Sequence, residues 1–441
     1  MNHPTAIICL TGSELTRGET HDTNGPFLST ELTSMGFRVE ELRLIPDDLE
    51  HLEHHFRECA ERAHLVLISG GLGPTADDCT ILALARVFDR AVERDPEATS
   101  RMRKRALARW HSEEEIPDNF YKQAEVVAGS RVLLNPAGLA PGCVVETERG
   151  LIITLPGVPR ELTAMFHERV VPEISSRFDL TPGRIVRGKL LGVPESSGEA
   201  RIQALGIDFQ RVEYGISARP GELTIKFLAH DRENHAYVDE VVALLRNEFA
   251  DELVLLPEGL SSSDDDGKGF ELARVVHELL LPSGLTVATA ESCTGGLLGK
   301  VLTDHPGSSG YFLGSIVAYH NAVKNRLLGI DRGLLEEHGA VSREVCRAMA
   351  LNVKTLLGAD YGLAVTGIAG PSGGTEEKPV GLVYTGLASP DESDQDGGRR
   401  VEVVEHKFPF PRDMVRTLTT VHALDQLRRD LERRGGYHQG R

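Results

Sequence analysis

The alternation of short apolar segments with amphipathic helical segments constrains the fold of this chain more than any other feature of its sequence. In the first part of the chain, strand-like and helix-like patterns follow one another at residues 6–10, 26–35, 39–44, 49–63, 65–68, 80–88 and 150–155. A strand followed by a covering helix, repeated along the chain, is typical of a doubly wound sheet. A similar alternation begins near residue 285, so we predict an α/β fold with two doubly wound α/β domains joined through a small α+β middle domain.

The length of 441 residues is enough for two to three domains with substantial cores. We predict a first domain at residues 1–172, a middle domain at 180–257, a linker at 258–269 and a last domain at 270–435. The linker prediction rests on the run SSSDDDGKG, which is polar and contains glycine.

Composition narrows the set of partners. The net charge is −18, from 66 acidic and 48 basic residues, so the protein's field repels nucleic acid and anionic membrane surfaces. Six cysteines occur without a CxxC pair, which argues against a zinc site and a disulfide framework. Without a charged leader or a membrane-length apolar run, we expect a cytoplasmic protein that binds neither nucleic acid nor membrane directly. A homodimer is the expected assembly, since two-fold closure is the commonest.

Ser292 stands at a strand-to-helix turn, in the segment LTVATA, ESCTGG, LLGKVL of residues 285–302. A hydroxyl at such a turn points away from the sheet, beside helix amides that would receive the charge of a carbonyl under attack. The alternative is that Ser292 or Thr294 only caps the helix. Two further strand ends favour catalysis, because Tyr319, Asn321 and Lys324 follow the apolar segment 311–318, and Thr366 follows 363–365.

The residue types suit attack on an amide. A serine hydroxyl needs a base, and an amine whose pKa is lowered by burial, here Lys324, can serve. Either Lys324 or Tyr319 could protonate the leaving nitrogen, and the sequence leaves that choice open. Thr366 with Gly367 and Gly370 is interpreted as a backbone cradle for a phosphate or an oxyanion. The alternatives are that Lys324 is a solvated surface lysine, that Tyr319 is a strand-end aromatic residue at the core boundary, and that the segment of Thr366 is an ordinary turn.

The runs ESCTGG, YHNAVK, GAVS, VTGIAGPSGG and KPVG closely resemble the nicotinamide-nucleotide amidase domain that ends proteins of the CinA (competence/damage-inducible) family. The resemblance implies deamidation of nicotinamide mononucleotide to nicotinic acid mononucleotide and ammonia, with no metal or other cofactor in this domain. It assigns the catalytic positions to Ser292, Tyr319, Lys324 and Thr366, and so prefers Ser292 over Cys293 as nucleophile. The expected substrate contacts are Glu291, Thr294, Gly295, Gly296, Asn321, Gly367 and Gly370.

The first domain carries a different constellation, in which the apolar segment 65–68 ends in SGGLGPTADD. A glycine-rich turn after a strand exposes backbone amides to a phosphate. Asp77 and Asp78 beside it suit a divalent cation that neutralises the phosphate and activates a water. The alternative is that the two aspartates only complement the dipole of the following helix.

The runs GSELTRG, DTN, GGLGPTADD, NPAGLAPG and LPGVPRE resemble the N-terminal domain of the CinA family, which is similar to molybdopterin-binding (MoaB/MogA-type) proteins. The resemblance implies hydrolysis of ADP-ribose to AMP and ribose 5-phosphate with a divalent metal, Mg or Co, and with potassium as a further candidate ion. Asp77, Asp78 and Glu161 are the expected metal ligands, and the two aspartates are also assigned to catalysis. The expected substrate contacts are Gly12, Glu14, Asn24, Gly70, Gly71, Gly73, Thr75, Asn135, Gly138, Pro156 and Gly157.

Three classes of function follow. The leading hypothesis is a bifunctional pyridine-nucleotide salvage enzyme, because both implied substrates are breakdown products of NAD. A second is a molybdopterin-binding or adenylyl-transferring protein, suggested by the first domain. A third is an adaptor in competence, recombination or the DNA-damage response that acts through a protein partner.

Overall fold

The computed structural model describes residues 3–108, 110, 112, 115–257, 270–393 and 399–435. The predicted linker at 258–269 lies outside the described residues. The predicted fold class is confirmed, since two mixed α/β units flank a smaller sheet with its own helices. Within the described residues, no helix combines the length and the apolar character needed to cross a membrane.

The first unit is built on a six-stranded sheet of order β2-β1-β3-β8-β7-β6. Its strands, with the two-stranded ribbon β4 and β5, are β1 (Thr5–Thr11), β2 (Arg38–Ile45), β3 (Leu65–Ser69), β4 (Val92–Arg94), β5 (Glu125–Val127), β6 (Arg131–Leu133), β7 (Gly142–Glu146) and β8 (Leu151–Leu155). Strands β2, β1, β3 and β8 are parallel, whereas β7 and β6 continue the sheet antiparallel.

Helices cover both faces of this sheet because its central strands are apolar on both sides. Along β1, Ile7 and Cys9 pack into one core, and Ala6, Ile8 and Leu10 pack into the other. The helices are α1 (Ser13–Thr16), α2 (Asn24–Met35), α3 (Leu49–Arg62), α4 (Thr80–Val87), α5 (Pro96–Leu107), α6 (Pro159–Met165) and α7 (Val171–Arg177).

The middle unit is a four-stranded antiparallel sheet of order β10-β11-β9-β12 with two helices. Its elements are β9 (Arg184–Leu191), α8 (Glu195–Gln203), β10 (Glu213–Arg219), β11 (Glu222–Ala229), α9 (His235–Phe249) and β12 (Leu253–Leu255). Lys189 joins it to the last unit, because its buried ammonium lies 2.8 Å from Glu222 and 2.7 Å from Glu271. A buried cation placed between two carboxylates fixes the position of the segments that carry them.

The last unit has a five-stranded sheet of order β14-β13-β15-β16-β17, in which the first three strands are parallel and the last two are antiparallel. Its elements are α10 (Glu271–Ser283), β13 (Val287–Glu291), α11 (Leu297–Thr303), β14 (Phe312–Val317), α12 (Asn321–Leu328), α13 (Arg332–His338), α14 (Arg343–Leu357), β15 (Tyr361–Gly367), β16 (Leu382–Ser393), β17 (Arg399–Lys407) and α15 (Arg412–Gly435).

The register of the three parallel strands brings their carboxyl ends together. Glu291, the last residue of β13, is level with Val317 of β14 and Val365 of β15. The residues that follow these positions therefore leave the sheet side by side at one edge, which is where open α/β sheets place their sites.

Candidate active sites

Ser292 and Lys324 meet at the carboxyl edge of the last sheet. The backbone N–H of Ser292 donates to the Val365 carbonyl at 3.0 Å, which fixes the turn against β15. Lys324 comes from the first turns of α12, and its Nζ lies 3.0 Å from Ser292 Oγ. Both side chains are buried, with Lys324 1% and Ser292 8% exposed. The geometry is that of a hydroxyl paired with an amine.

The surroundings of Lys324 favour its neutral form. Burial lowers the pKa of Lys324 to about 8. Its Nζ also donates to the carbonyls of Ala318 at 2.8 Å and Tyr319 at 3.3 Å, and no carboxylate in the described part of the chain lies within 4.0 Å of it. A neutral amine has two N–H groups and one lone pair. If the two carbonyls take the N–H groups, the lone pair faces the serine hydroxyl.

Cys293, next to Ser292, has the opposite character. Burial raises the pKa of the Cys293 thiol to about 12, and its side chain packs into a small apolar cluster with Val415 and Leu418. A thiol is nucleophilic as the thiolate, so a raised pKa disfavours reaction. The geometry therefore favours Ser292 as the nucleophile.

Glu291 does not hold the position expected of a substrate contact. Its carboxylate is fully buried at the end of β13. It accepts five hydrogen bonds of 2.8–3.1 Å, from Thr294 Oγ1, Ser315 Oγ and the backbone N–H groups of Gly296, Leu298 and Gly299. We therefore revise the expected role of Glu291 and Thr294 from substrate contact to support of the turn.

This network also changes the expected source of oxyanion stabilisation. Leu298 and Gly299 lie in the first turn of α11, and Glu291 occupies their amides. The amide of Leu297 donates to the backbone carbonyl of Thr294, and the amide of Gly295 donates to the backbone carbonyl of Ser292. The amides of residues 295–299 are thus engaged within the protein and are not available to receive the developing charge in this conformation. Gly295 and Gly296 have φ values of 61° and 96°, which explains why this turn carries two glycines.

Thr366 and Gly367 lie at the predicted edge but do not form an open cradle. The Thr366 hydroxyl is buried and donates to the Ala340 carbonyl at 2.8 Å. A Cβ at Gly367 would lie 2.6 Å from the Val383 side chain, so this glycine permits close packing of β15 on β16. The interpretation of this pair as an anion cradle is therefore corrected to a packing role. Gly370 lies farther along, and its carbonyl accepts from Arg412 at 2.7 Å.

Tyr319 and Asn321 lie toward solvent. Tyr319 is 58% exposed, and its phenol oxygen accepts from Arg412 at 3.0 Å. Asn321 begins α12 and lines a separate cavity of about 550 Å³ between α12 and α13, whose lining does not include Ser292 or Lys324. The structure thus brings Ser292 and Lys324 together, places Tyr319 at the rim and directs Asn321 elsewhere.

Sequence reasoning missed two arginines at the start of α15. Arg416 donates to the carbonyl of Thr294 from Nη2 at 2.6 Å and from Nε at 3.2 Å. Arg412 connects the Gly370 carbonyl with the Tyr319 phenol. Arg412 is the first residue of α15, where the positive end of the helix dipole disfavours an arginine, whereas the position of Arg416 in the fifth place carries no such local signal.

The second candidate site is a cavity of about 700 Å³ at the carboxyl ends of β1, β3 and β8. Twelve of the predicted residues line it, namely Gly12, Glu14, Gly70, Gly71, Gly73, Thr75, Asp77, Asp78, Gly138, Pro156, Gly157 and Glu161. Asp47, at the end of β2, and Arg105, on α5, also line it and were missed from sequence.

Asn24 and Asn135 are buried between loops instead of lining the cavity. Asn24 Nδ2 donates to the Gly157 carbonyl at 2.8 Å and to Ser69 Oγ at 3.1 Å. Asn135 Nδ2 donates to Glu161 Oε2 at 2.8 Å, while its Oδ1 accepts from two backbone amides. Their expected role as substrate contacts is corrected to holding the loops and orienting Glu161.

The expected metal ligands share the cavity but are not a preformed set. Among the described residues, the one group of three ligand-type side chains with donor atoms within 4.8 Å of one another is His54, His55 and Glu58 on α3. Asp77, Asp78 and Glu161 are therefore farther apart than an ion alone would require. Asp78 instead accepts from the Thr75 amide at 2.8 Å.

The cavity is nevertheless suited to a cation. Five carboxylates line it, those of Glu14, Asp47, Asp77, Asp78 and Glu161, against one guanidinium. Burial raises the pKa of Asp47, and the charges of Glu14 and Asp78 raise it further. An anionic phosphate entering this field requires a compensating positive charge, and oxygen ligands of this kind suit a hard divalent ion.

Fold and sites together define an α/β protein with two larger modules on either side of the small middle unit. The first unit, here called the N-terminal module, holds a glycine-rich acidic cavity, and the last unit, the C-terminal module, holds a buried serine–lysine pair. Residues 7–176 match the family described as probable molybdopterin binding domain, and residues 270–431 match the CinA C-terminal domain. The chain belongs to the CinA family. This membership supports a nucleotide-processing or competence-associated role.

Relatives match over most of the chain. It is 40% identical to a protein described as competence-damage inducible from Desulforudis audaxviator, covering 88% of this chain and 91% of the relative. It is 37% identical to a CinA-like protein of Gloeothece citriformis, covering 96% and 98%. The crystal structure of competence/damage inducible protein CihA from Agrobacterium tumefaciens is 39% identical, covers 38% of this chain and 96% of that chain, and has a TM-score of 0.34.

Replacing Glu291 tests its role in supporting the turn. In Glu291→Gln the amide NH₂ would face N–H groups, so charge-assisted hydrogen bonds are lost and donors oppose one another. We expect a stability loss of about 3 kcal/mol for the C-terminal module, together with loss of any activity at Ser292. Thermal unfolding and an ammonia-release assay measure the two effects. Glu240→Gln, on the exposed face of α9, is the matched control; a Glu291 variant as stable as this control would contradict the assignment.

Proposed function

We propose that the C-terminal module is a serine amide hydrolase that converts nicotinamide mononucleotide to nicotinic acid mononucleotide and ammonia. The observation that carries the proposal is the buried Lys324 Nζ at 3.0 Å from Ser292 Oγ. A desolvated amine with a pKa near 8 can accept a serine proton at neutral pH. Family membership agrees with this reaction class, and the choice of substrate rests on the motif resemblance.

The first half of the reaction forms an ester. Ser292 Oγ attacks the carboxamide carbon while its proton passes to the neutral Lys324 amine, which becomes an ammonium beside the oxyanion. The charge on Lys324 then stabilises the tetrahedral intermediate at short range. When the C–N bond breaks, the ammonium returns its proton to the leaving nitrogen and ammonia departs. Lys324 thus acts first as base and then as acid.

The second half of the reaction hydrolyses the ester. Water attacks the acyl carbon while Lys324 accepts its proton, and the C–O bond to Ser292 breaks. The serine oxygen regains a proton, and the carboxylic acid product leaves. Lys324 suits this repeated role because it is buried against the Ala318 and Tyr319 carbonyls, which hold its Nζ in place.

We further propose that the N-terminal module hydrolyses ADP-ribose to AMP and ribose 5-phosphate. The support is a nucleotide-sized cavity that combines a glycine-rich loop with five carboxylates. Asp77, Asp78 and Glu161 are the residues that would hold a divalent cation, which would supply charge neutralisation and an acidified water. The chain's own groups position the phosphates on the amides at Gly71 to Gly73, since the Gly70 amide already donates to the Leu155 carbonyl at 3.0 Å. Asn135 orients Glu161. Water adds to one phosphorus as the P–O–P bond breaks.

Separate sites predict separable activities. Ser292→Ala removes the nucleophile, so ammonia release from nicotinamide mononucleotide should fall by at least about 10³-fold while ADP-ribose turnover stays within about twofold of wild type. Asp78→Ala should have the converse effect. Both reactions are assayed on the full chain with Mg²⁺ or Co²⁺ added.

The two variants control for each other, because each should retain the activity that the other loses. Loss of both reactions in either variant, with an unchanged unfolding temperature, would contradict the assignment of independent sites. AMP release from ADP-ribose separates hydrolysis from a molybdopterin-binding or adenylyl-transfer role. Turnover by purified protein would separate an enzyme from a pure adaptor.

The pKa of Lys324 predicts the pH dependence of the amidase. Only the neutral amine accepts the serine proton, and its fraction rises with pH through a value near 8. We therefore expect kcat/KM to rise about tenfold per pH unit below pH 7 and to level off above pH 8. Steady-state ammonia release between pH 5.5 and about 9.5 measures the profile. A rate that is flat or falls between pH 6 and about 8 would contradict a lysine base.

A further inference from the structure

Two arginines without acidic partners flank the turn that carries Ser292. Arg412 and Arg416 lie one helical turn apart at the start of α15. Arg416 contacts the turn through the Thr294 carbonyl, and Arg412 lies between the Gly370 loop and the Tyr319 phenol. Their positive charge therefore lies at the rim of the candidate amidase site.

The other arginines of helix α15 differ from Arg412 and Arg416 in having carboxylate partners. Near its other end, every arginine from 428 onward pairs with a carboxylate, through Arg428–Asp425, Arg428–Glu432, Arg429–Asp425, Arg433–Asp430 and Arg434–Asp430. Within the residues that the structure describes, no carboxylate lies within 4.0 Å of Arg412 or Arg416. In a chain of net charge −18, two guanidinium groups one helical turn apart without a carboxylate partner are typical of an anion site.

Each guanidinium keeps donors available for a ligand. A guanidinium has five N–H groups in a planar fork. Arg416 uses Nε and Nη2 on the Thr294 carbonyl, and Arg412 uses Nη1 and Nη2 on Gly370 and Tyr319, so each retains three. The positive end of the α15 dipole adds to the same field. Gly295 has no side chain to cover Arg416, since a Cβ there would lie 3.7 Å from Nη2.

We propose that Arg412 and Arg416 form the subsite that binds the phosphate monoester of the amide substrate and so selects a nucleotide over the corresponding nucleoside. This inference rests on the proposed amidase function. Paired guanidinium groups suit a phosphate because they offer several charge-assisted donors in fixed directions. Ser292 lies two residues before the Thr294 carbonyl that Arg416 contacts, so one turn carries the nucleophile and adjoins the phosphate site.

The test compares nicotinamide mononucleotide with nicotinamide riboside, which lacks the phosphate. Arg416→Gln and Arg412→Gln should each lower kcat/KM for the mononucleotide about 10- to 100-fold, mainly through KM, as expected for losing a hydrogen bond to a charged group. For the riboside, kcat/KM should change less than about twofold, so that the ratio of the two substrates falls. Arg416→Lys, which retains the charge, should recover part of the selectivity. Arg433→Gln, at the other end of the same helix, is the matched control.

The outcomes separate the subsite from a purely structural role. If the variants lose activity equally on both substrates, the arginines only support the loops and the inference is overturned while the amidase proposal stands. If wild type turns over neither amide, the amidase proposal fails, and calorimetric binding then decides the subsite. Binding of nicotinamide mononucleotide that inorganic phosphate displaces, and that Arg416→Gln loses, supports the subsite; equal binding by variant and wild type overturns it.

Discussion

The buried contact between the Lys324 amine and the Ser292 hydroxyl is the interaction on which the C-terminal module depends. An ammonium in this position is costly, because burial removes its water and no carboxylate among the described residues compensates it. The cost appears as a pKa near 8, which makes the amine a base at neutral pH. The same burial that would be unfavourable for a structural lysine thus supplies the reactivity that a serine nucleophile needs.

The rest of the sheet edge holds this contact in place. The register of β13, β14 and β15 brings Ser292, Ala318 and Thr366 to one level. Glu291 then fixes the turn from inside by engaging the first amides of α11, so the serine is held by a second layer of hydrogen bonds. The N-terminal cavity follows the same plan, with Asn135 as the inner support of Glu161. In both modules a buried polar side chain orients the residue that faces the site.

The sequence predicted the parts of the sites that follow from the order of the strands and from the positions at which the strands end. Ser292 and Lys324 were expected at one edge because the ends of parallel strands meet. Of the fourteen residues expected at the site of the first domain, twelve line one cavity. It could not show which way a side chain points at a strand end. Glu291, Asn24 and Asn135 were expected to contact a substrate, yet each side chain points inward and forms hydrogen bonds with the backbone of a turn or loop. Arg412 and Arg416 were missed because a contact spanning 122 residues, such as Arg416 to Thr294, has no local pattern.

Covalent labelling of chelator-treated protein with a serine-directed sulfonyl fluoride tests the central claim most directly. Peptide mapping by mass spectrometry should place the label on Ser292, and the labelling rate should rise with pH through a midpoint near 8. In Lys324→Met, which keeps the side chain's bulk without its amine, the rate should fall by at least about a hundredfold. A label on Cys293, or equal labelling of wild type and Lys324→Met, would contradict a serine activated by a buried lysine.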